Sequence, residues 1–387
     1  MGMPPPAPDA ASAPLPSVLQ LRSSAGVYGA ERVLLALGDG LRRQGVRSRL
    51  LGIHNYLLER QPLHEAALAA GQDTVLLPCR GRIDMRTVSA LGAQLDATGA
   101  GVLHVHDYKS AFYAWLATRQ RPRVKLVATL HGWVESSQAL RLYTTLELAL
   151  LRRFDALVVV ARDQAARLLR AGVPAARIHQ VDNGIALPAA PSPERVAALR
   201  GELDLAGPGP VLAAVARLSP EKNLALLLAA FAAVARDDAR LLLVGDGPER
   251  RALEAQAEAL GVQSRVRFAG ARADVDDLWG LVDCLALPSL SEGMPLVVLE
   301  AMARGIPVVA SAVGDVPRLL ANASHGRLVP PGDEAALRAA LGEALALPRR
   351  HDAQAAAFVQ SAHSADAMAA RYLDLYQELS GHGRKTA

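Results

Sequence analysis

The stretch Cys284-Leu285-Ala286-Leu287-Pro288-Ser289-Leu290-Ser291-Glu292-Gly293-Met294-Pro295-Leu296-Val297-Val298-Leu299-Glu300 reads as a strand, a loop and a helix. The run Cys284–Leu287 continues the chain's alternation of strand-like and helical runs. Pro295 suits the first turn of the helix, where its missing N–H costs nothing and its fixed φ helps. The unpaired N–H groups of that turn, with the positive end of the helix dipole, make an anion site. Two carboxylates eight positions apart bracket it: Glu292 lies just before the site and Glu300 more than a turn inside the helix. An anion held between two carboxylates makes sense only if the ligand offers hydroxyls as well as a phosphate.

The same strand-then-helix alternation runs outward in both directions. In the second half, Val211–Val215, Leu241–Val244, Val266–Phe268 and Val308–Ala310 read as strands, with a helix from about Glu221. In the first half, Ser17–Leu21, Arg49–Ile53, Val102–Val105, Lys125–Thr129 and Ala156–Val160 do the same, with an amphipathic helix over Ala30–Arg43. This alternation predicts α/β layers with parallel sheets. Gly184 and the proline-rich Leu187–Pro193 interrupt it and mark a linker. The expectation is two Rossmann-like domains, 17–186 and 187–363, facing a central cleft. Residues 1–16 form a disordered lead-in, and a helix at about 364–380 packs back on the first domain. Ligands of such sheets sit beyond the carboxyl ends of the strands.

Composition narrows the function. A chain of 387 residues with 51% hydrophobic residues supplies core for two domains. Aromatic residues are only 4%, too few for the stacking platforms that bind single-stranded nucleic acid, so no nucleic-acid partner is expected. Cys79 and Cys284 form no metal-ligand or CxxC spacing, which points to a reduced, cytoplasmic setting. No apolar run reaches membrane-spanning length, and Leu224–Ala235 reads as a buried helix. Residues 1–186 hold 22 basic and 14 acidic side chains, a balance of +8, whereas the remainder carries −4. A basic first half can attract a phosphate-bearing acceptor or the anionic inner face of a membrane, although solvated arginine-rich helices explain it equally well.

Several loops after strands carry candidate chemistry. Arg217-Leu218-Ser219-Pro220-Glu221-Lys222 places two cations five residues apart, a spacing that can grip a diphosphate from two sides. Gly245-Asp246-Gly247-Pro248 and Gly326–Asp333 read as structural turns. Gly26-Val27-Tyr28-Gly29 lacks the full GxGxxG of dinucleotide folds, which argues against a nicotinamide-dependent oxidoreductase, yet Gly29 lets backbone approach a phosphate or sugar. His131 follows Lys125–Thr129, a strand-end position that opens a functional reading beside the structural one. In His104-Val105-His106-Asp107 a metal site lacks a further spaced ligand, so Asp107 or Lys109 reads better as an acceptor contact. No serine or cysteine occupies a nucleophile elbow.

Taken together, these motifs resemble the family-four retaining glycosyltransferases of the GT-B fold. The resemblance rests on Gly29-Ala30-Glu31-Arg32, Val105-His106-Asp107, Thr129-Leu130-His131-Gly132 and Asp182-Asn183-Gly184-Ile185 in the first half. Arg217–Lys222, Gly245–Pro248, the Glu292/Glu300 block and Gly314-Asp315-Val316-Pro317 carry it in the second, and it spans about residues 17–380. It implies a UDP-, GDP- or ADP-linked sugar as donor and a carbohydrate or lipid-linked acceptor, as in cell-surface polysaccharide synthesis. Arg217 and Lys222 would hold the diphosphate, Glu300 the ribose, and Glu292 with the backbone of Gly293, Met294, Pro295, Leu296 and Val297 the sugar and its phosphate. His131 would reach the sugar from the first domain. The mechanism needs no protein-bound metal or other cofactor and keeps the anomeric configuration. Tyr28 stands where the family often has a second glycine and would narrow the acceptor side. A sugar-nucleotide epimerase or a non-catalytic sugar-nucleotide-binding protein is the alternative on the same fold.

Overall fold

The computed structural model describes residues 15–131, 148–187, 189–205, 207–234, 236–324, 326–346 and 351–381. Most of the lead-in (1–14), Gly132 and Trp133 lie outside the described residues. Among the described residues the first seven strands are β1 (Ser17–Ser23), β2 (Arg47–Ile53), β3 (Thr74–Leu77), β4 (Val102–Val105), β5 (Lys125–Leu130), β6 (Ala156–Val159) and β7 (Ile178–Gln180). They form one sheet in the order β3-β2-β1-β4-β5-β6-β7. Six more, β8 (Val211–Val215), β9 (Arg240–Val244), β10 (Val266–Gly270), β11 (Cys284–Leu287), β12 (Val308–Ser311) and β13 (Arg327–Val329), form a second sheet, ordered β10-β9-β8-β11-β12-β13. The chain accordingly divides into two compact units: Met1–Val158 with Leu168–Val181 and Ala369–Ala387, and Val159–Arg167 with Asp182–Met368.

The second sheet shows why its strands are apolar without alternation. Val211, Ala213, Leu285, Leu287, Val308 and Ala310 belong to one hydrophobic cluster. Their neighbours Leu212, Ala214, Cys284, Ala286 and Val309 belong to another. Successive side chains point to opposite faces, so both faces are covered by helices. Each fully buried leucine in such a layer contributes about 1.5–3 kcal/mol. The pairings β8 with β9 and β11, β9 with β10, β11 with β12 and β12 with β13 are all parallel. The strand order reverses between β8 and β11, which pair directly through Cys284 with Leu212 and Leu285 with Ala213.

In the first unit β1 pairs in parallel with β2 and β4, so the reversal lies between β1 and β4. Helix Gly29–Arg43 buries Leu34, Leu37 and Leu41, a spacing of three and four that makes one apolar stripe. The last helix, Ala365–Leu379, ends within this unit, where the Tyr372 hydroxyl is 2.8 Å from Thr129 Oγ1 and the Tyr376 hydroxyl 2.7 Å from His104 Nδ1.

Three local expectations need correction. The helix expected from Glu221 starts at Leu224: Pro220–Lys222 is a single 3₁₀ turn and Asn223, at φ +52°, breaks the path between them. Asparagine tolerates that left-handed backbone better than most residues, and the break leaves Lys222 on a loop. Pro295 is the cap before helix Leu296–Ala303 rather than its first residue. Strands β3 and β7 were not legible from the sequence pattern; both are short edge strands with little burial to betray them. Leu224–Val234 is a buried helix as expected, and among the described residues no helix is long and apolar enough to cross a membrane.

Candidate active site

The loops after β8 and β11 meet because those strands are neighbours. The Leu290 N–H donates to the Glu221 carbonyl at 2.8 Å, tying the Arg217–Lys222 loop to the Ser289–Glu292 loop. Lys222 Nζ then reaches Glu292 Oε1 at 2.7 Å, and the same oxygen accepts from the Ser289 hydroxyl at 2.7 Å. Ser289 is fully buried, so this bond fixes Glu292 from below. The Ser219 hydroxyl donates to Glu221 Oε1 at 2.6 Å and holds that carboxyl below its ordinary range, with Lys222 and Arg217 adding to the effect. Arg217 is exposed, and among the described residues its guanidinium makes no hydrogen bond or ion pair within the protein.

Backbone packing holds the Arg217 loop. Leu218 is buried beside it; its N–H donates to the Asp246 carbonyl, and its own carbonyl accepts from Glu249 N–H, both at 3.0 Å. Gly245 has φ +131°, and a Cβ there would stand 1.9 Å from the Ala216 carbonyl oxygen; at Gly247 it would stand 2.3 Å from that of Leu218. Both glycines are therefore required by close backbone approach. Gly245-Asp246-Gly247 is the cradle on which the Arg217 loop rests.

A second cradle supports the turn before helix Leu296–Ala303. Gly314, at φ +53°, would put a Cβ 2.2 Å from the Glu292 carbonyl oxygen, and Asp315 N–H donates to the Gly293 carbonyl at 2.9 Å. Asn183 Nδ2 donates to the Met294 carbonyl at 3.1 Å, while its N–H lies 3.2 Å from the Met294 sulfur. Arg318 clamps Asp182 through both oxygens at 2.8 Å and also bonds Asp315 at 2.9 Å. Met294 and Pro295 are buried, so they shape the turn through packing; Leu296 and Val297 stay half-exposed, and as the first helical residues they lack intrahelical acceptors for their N–H groups. Glu300 is buried, one turn in, at 4% exposure.

In the first unit Tyr28 is 67% exposed and caps helix Gly29–Arg43 through its backbone, its N–H donating to Glu31 Oε2 at 3.0 Å. Glu31 is buried in an ion pair with Arg22 at 2.6 Å. A Cβ on Gly29 would meet nothing within 4 Å, so packing does not demand glycine there. Asp107, expected at the acceptor, is occupied as a helix cap: Oδ1 accepts from Ser110 N–H, and Oδ2 accepts from Ser23 N–H at 2.8 Å and the Ser110 hydroxyl at 2.6 Å. Lys109 is half-buried on the first turn of the helix that Asp107 caps. His104 is buried with both ring nitrogens engaged, Nδ1 by Tyr376 and Nε2 by Thr129 at 2.7 Å. Burial pushes its pKa down to about 3. His131 Nε2 lies 3.2 Å from His106 Nδ1.

The structure thus brings Arg217, Lys222, Glu292 and the helix turn at Gly293–Val297 together, and places His131 with His106 in the other unit. Sequence reasoning missed Ser289, Asn183, Arg318 and the Gly314 contact. Gly314-Asp315 and Asp182-Asn183 enter the resemblance, but what they contact is not legible locally, because their partners lie more than twenty or a hundred residues away.

Comparison with known proteins agrees with this geometry. A family model described as "Glycosyltransferase Family 4" matches residues 27–187, and one described as "Glycosyl transferases group 1" matches 209–346. The chain is 32% identical over 320 residues to the D-inositol 3-phosphate glycosyltransferase of Saccharomonospora viridis, covering 74% of this chain and 72% of that one. It is 29% identical over 264 residues to the N-acetyl-alpha-D-glucosaminyl L-malate synthase of Bacillus anthracis; that match covers 65% of this chain and 66% of the relative, just under two thirds of its length. The fold is that of Anabaena Alr3699/HepE, solved in complex with UDP and glucose, at TM-score 0.78 and 22% identity over 94% of this chain and 100% of that one. The chain belongs to the family-four glycosyltransferases, with their GT-B fold.

Proposed function

We propose that this protein transfers a sugar from a nucleoside diphosphate to a hydroxyl acceptor with retention of anomeric configuration. One observation carries the reading. Arg217, Lys222 and the first turn of helix Leu296–Ala303 converge at the carboxyl ends of β8 and β11, where the strand order reverses. That is where an open α/β sheet binds phosphate ligands, and it combines a guanidinium fork, an ammonium and helix-end amides.

Lys222 has three N–H donors and directs one at Glu292, leaving two for phosphate oxygens. Arg217 has its whole fork available. In the reaction the bond between the anomeric carbon and the phosphate oxygen breaks, and a bond to the acceptor oxygen forms on the same face. The acceptor proton passes to the departing phosphate, giving a nucleoside diphosphate. Charge grows on that phosphate as the bond breaks, so groups that hold it stabilise the transition state more than the ground state. Glu292, anchored by Lys222 and Ser289, is assigned to the donor sugar, Glu300 to the ribose, and His131 to a sugar hydroxyl. No protein-bound metal enters this reading, and chelation by EDTA is expected to leave the rate unchanged.

The relatives' names, D-inositol 3-phosphate and L-malate, point to a small anionic hydroxy compound as acceptor, and the +8 balance of residues 1–186 suits one. A cell-surface polysaccharide or lipid-linked acceptor at the inner face of the membrane has only the basic first half in its favour. A thermal-shift panel of UDP-, GDP- and ADP-linked sugars, followed by assay of released nucleoside diphosphate with candidate acceptors, tests the proposal. Should no sugar nucleotide raise the melting temperature, the assignment falls; release without any acceptor would favour a hydrolase or an epimerase side reaction instead.

A further inference from the structure

We propose that His106 is a positioning residue that fixes the tautomer of His131, leaving the His131 proton on Nδ1. His106 follows β4 and His131 follows β5, neighbouring parallel strands paired through Val105 and Ala128. Their rings stack, with centroids 5.4 Å apart and planes 26° from parallel, and His106 Nδ1 faces His131 Nε2 at 3.2 Å. A hydrogen bond at that distance needs one proton between the two nitrogens. Two arrangements of two neutral rings supply it.

In the first, His131 carries its proton on Nε2 and donates to His106 Nδ1. The His106 proton must then sit on Nε2. That atom is buried and has no hydrogen-bond partner among the described residues, so this arrangement strands a buried N–H donor. In the second, His106 donates from Nδ1, and only an acceptor lone pair is left unpaired at Nε2. Orphaned buried donors are rarer in proteins than under-used acceptors, so the second arrangement wins. A doubly protonated ring is disfavoured as well: burial, His104 packed at 4.1 Å and the Arg22 guanidinium that donates to the His106 carbonyl all oppose a positive charge there. His131 Nε2 is then an acceptor already in use, and its proton is on Nδ1. His131 is thereby a neutral hydrogen-bond donor, fit to bind a hydroxyl or phosphate oxygen and unfit to act as a base through Nε2. The ligand part of this inference rests on the nucleotide-sugar reading above; the tautomer does not.

The full chain labelled with ¹⁵N-histidine decides it. Long-range proton–nitrogen spectra at neutral pH, with the His131 signals assigned by loss in His131→Gln, are expected to show the proton on Nδ1. His106→Asn keeps an N–H donor near the former Nδ1 and is expected to preserve that state. His106→Leu is expected to lose it and to raise the KM for the sugar nucleotide about tenfold, the value of one hydrogen bond, with His106→Asn restoring it. A wild-type His131 protonated on Nε2, or an Nδ1 proton that survives in folded His106→Leu, overturns the proposal. If the wild type transfers no sugar at all, the function proposed above fails while the spectra still decide the tautomer.

Discussion

In the proposed reaction Arg217 holds the departing phosphate, and its exposure allows that role to be tested apart from folding. Truncating an exposed side chain that makes no hydrogen bond or ion pair within the described protein leaves the packing intact, so Arg217→Ala is expected to melt with the wild type. Its kcat is expected to fall by about 10²–10³, the usual loss when one donor to a developing charge is removed. Lys222→Ala is expected to lose comparable activity and also stability, because it strips the largely buried Glu292 carboxylate of its ion-pair partner. Turnover near wild type in either variant would refute their role at the phosphate. Glu300→Gln is expected to weaken donor affinity in calorimetry; an unchanged affinity removes Glu300 from the ribose.

His104 makes a second prediction at this scale. Its folded pKa is depressed to about 3, below the ordinary value of 6.5, so the unfolded chain binds the extra proton between those pH values. Stability from His104 is therefore complete above about pH 6.5 and is lost as pH falls toward 3. The slope is about 1.4 kcal/mol per pH unit for one proton. Urea denaturation from pH 7 to 4.5 should show that slope reduced in His104→Gln, which has no ring to titrate. Equal slopes in the two proteins would place the titration elsewhere.

At the scale of elements, the two glycine cradles decide where the site residues stand. Gly245→Ala drives a Cβ into the Ala216 carbonyl at a backbone angle that alanine resists. It is expected to cost about 2–3 kcal/mol and, by shifting the Arg217 loop, to raise the KM for the donor. Gly29→Ala is the control: its Cβ meets nothing, so a fold as stable as wild type is expected. If both variants melt alike, the close approach of Gly245 to Ala216 is not what holds that loop. Apart from the short edge strands β3 and β7, the strands are legible as apolar runs, as hydrophobic layering on both faces requires. The start of the helix after Lys222 is not, since of the chain's four asparagines only Asn223 takes the left-handed backbone that delays it.

At the scale of the molecule, the proposed function assigns the donor to the second unit, and a donor nucleotide sugar should report it. A ligand bound only to the folded state at a hundred times its dissociation constant stabilises by about 2.7 kcal/mol. The expected readout is a raised melting temperature, with hydrogen-exchange protection at 216–223 and 289–300 in the second unit. Protection confined to the first unit would reverse the assignment of donor and acceptor sides.

The amino-acid sequence by itself determined the α/β layering and the two-part organisation and singles out Arg217, Lys222, Glu292 and Glu300 as candidates, because hydrophobic period and residue chemistry are local properties of the chain. It did not disclose that Lys222 and Glu292 are partners or that His106 touches His131. Those facts depend on which strands lie side by side. Side-chain pairing across neighbouring strands joins residues 25 to 70 positions apart, and only the tertiary arrangement sets that adjacency.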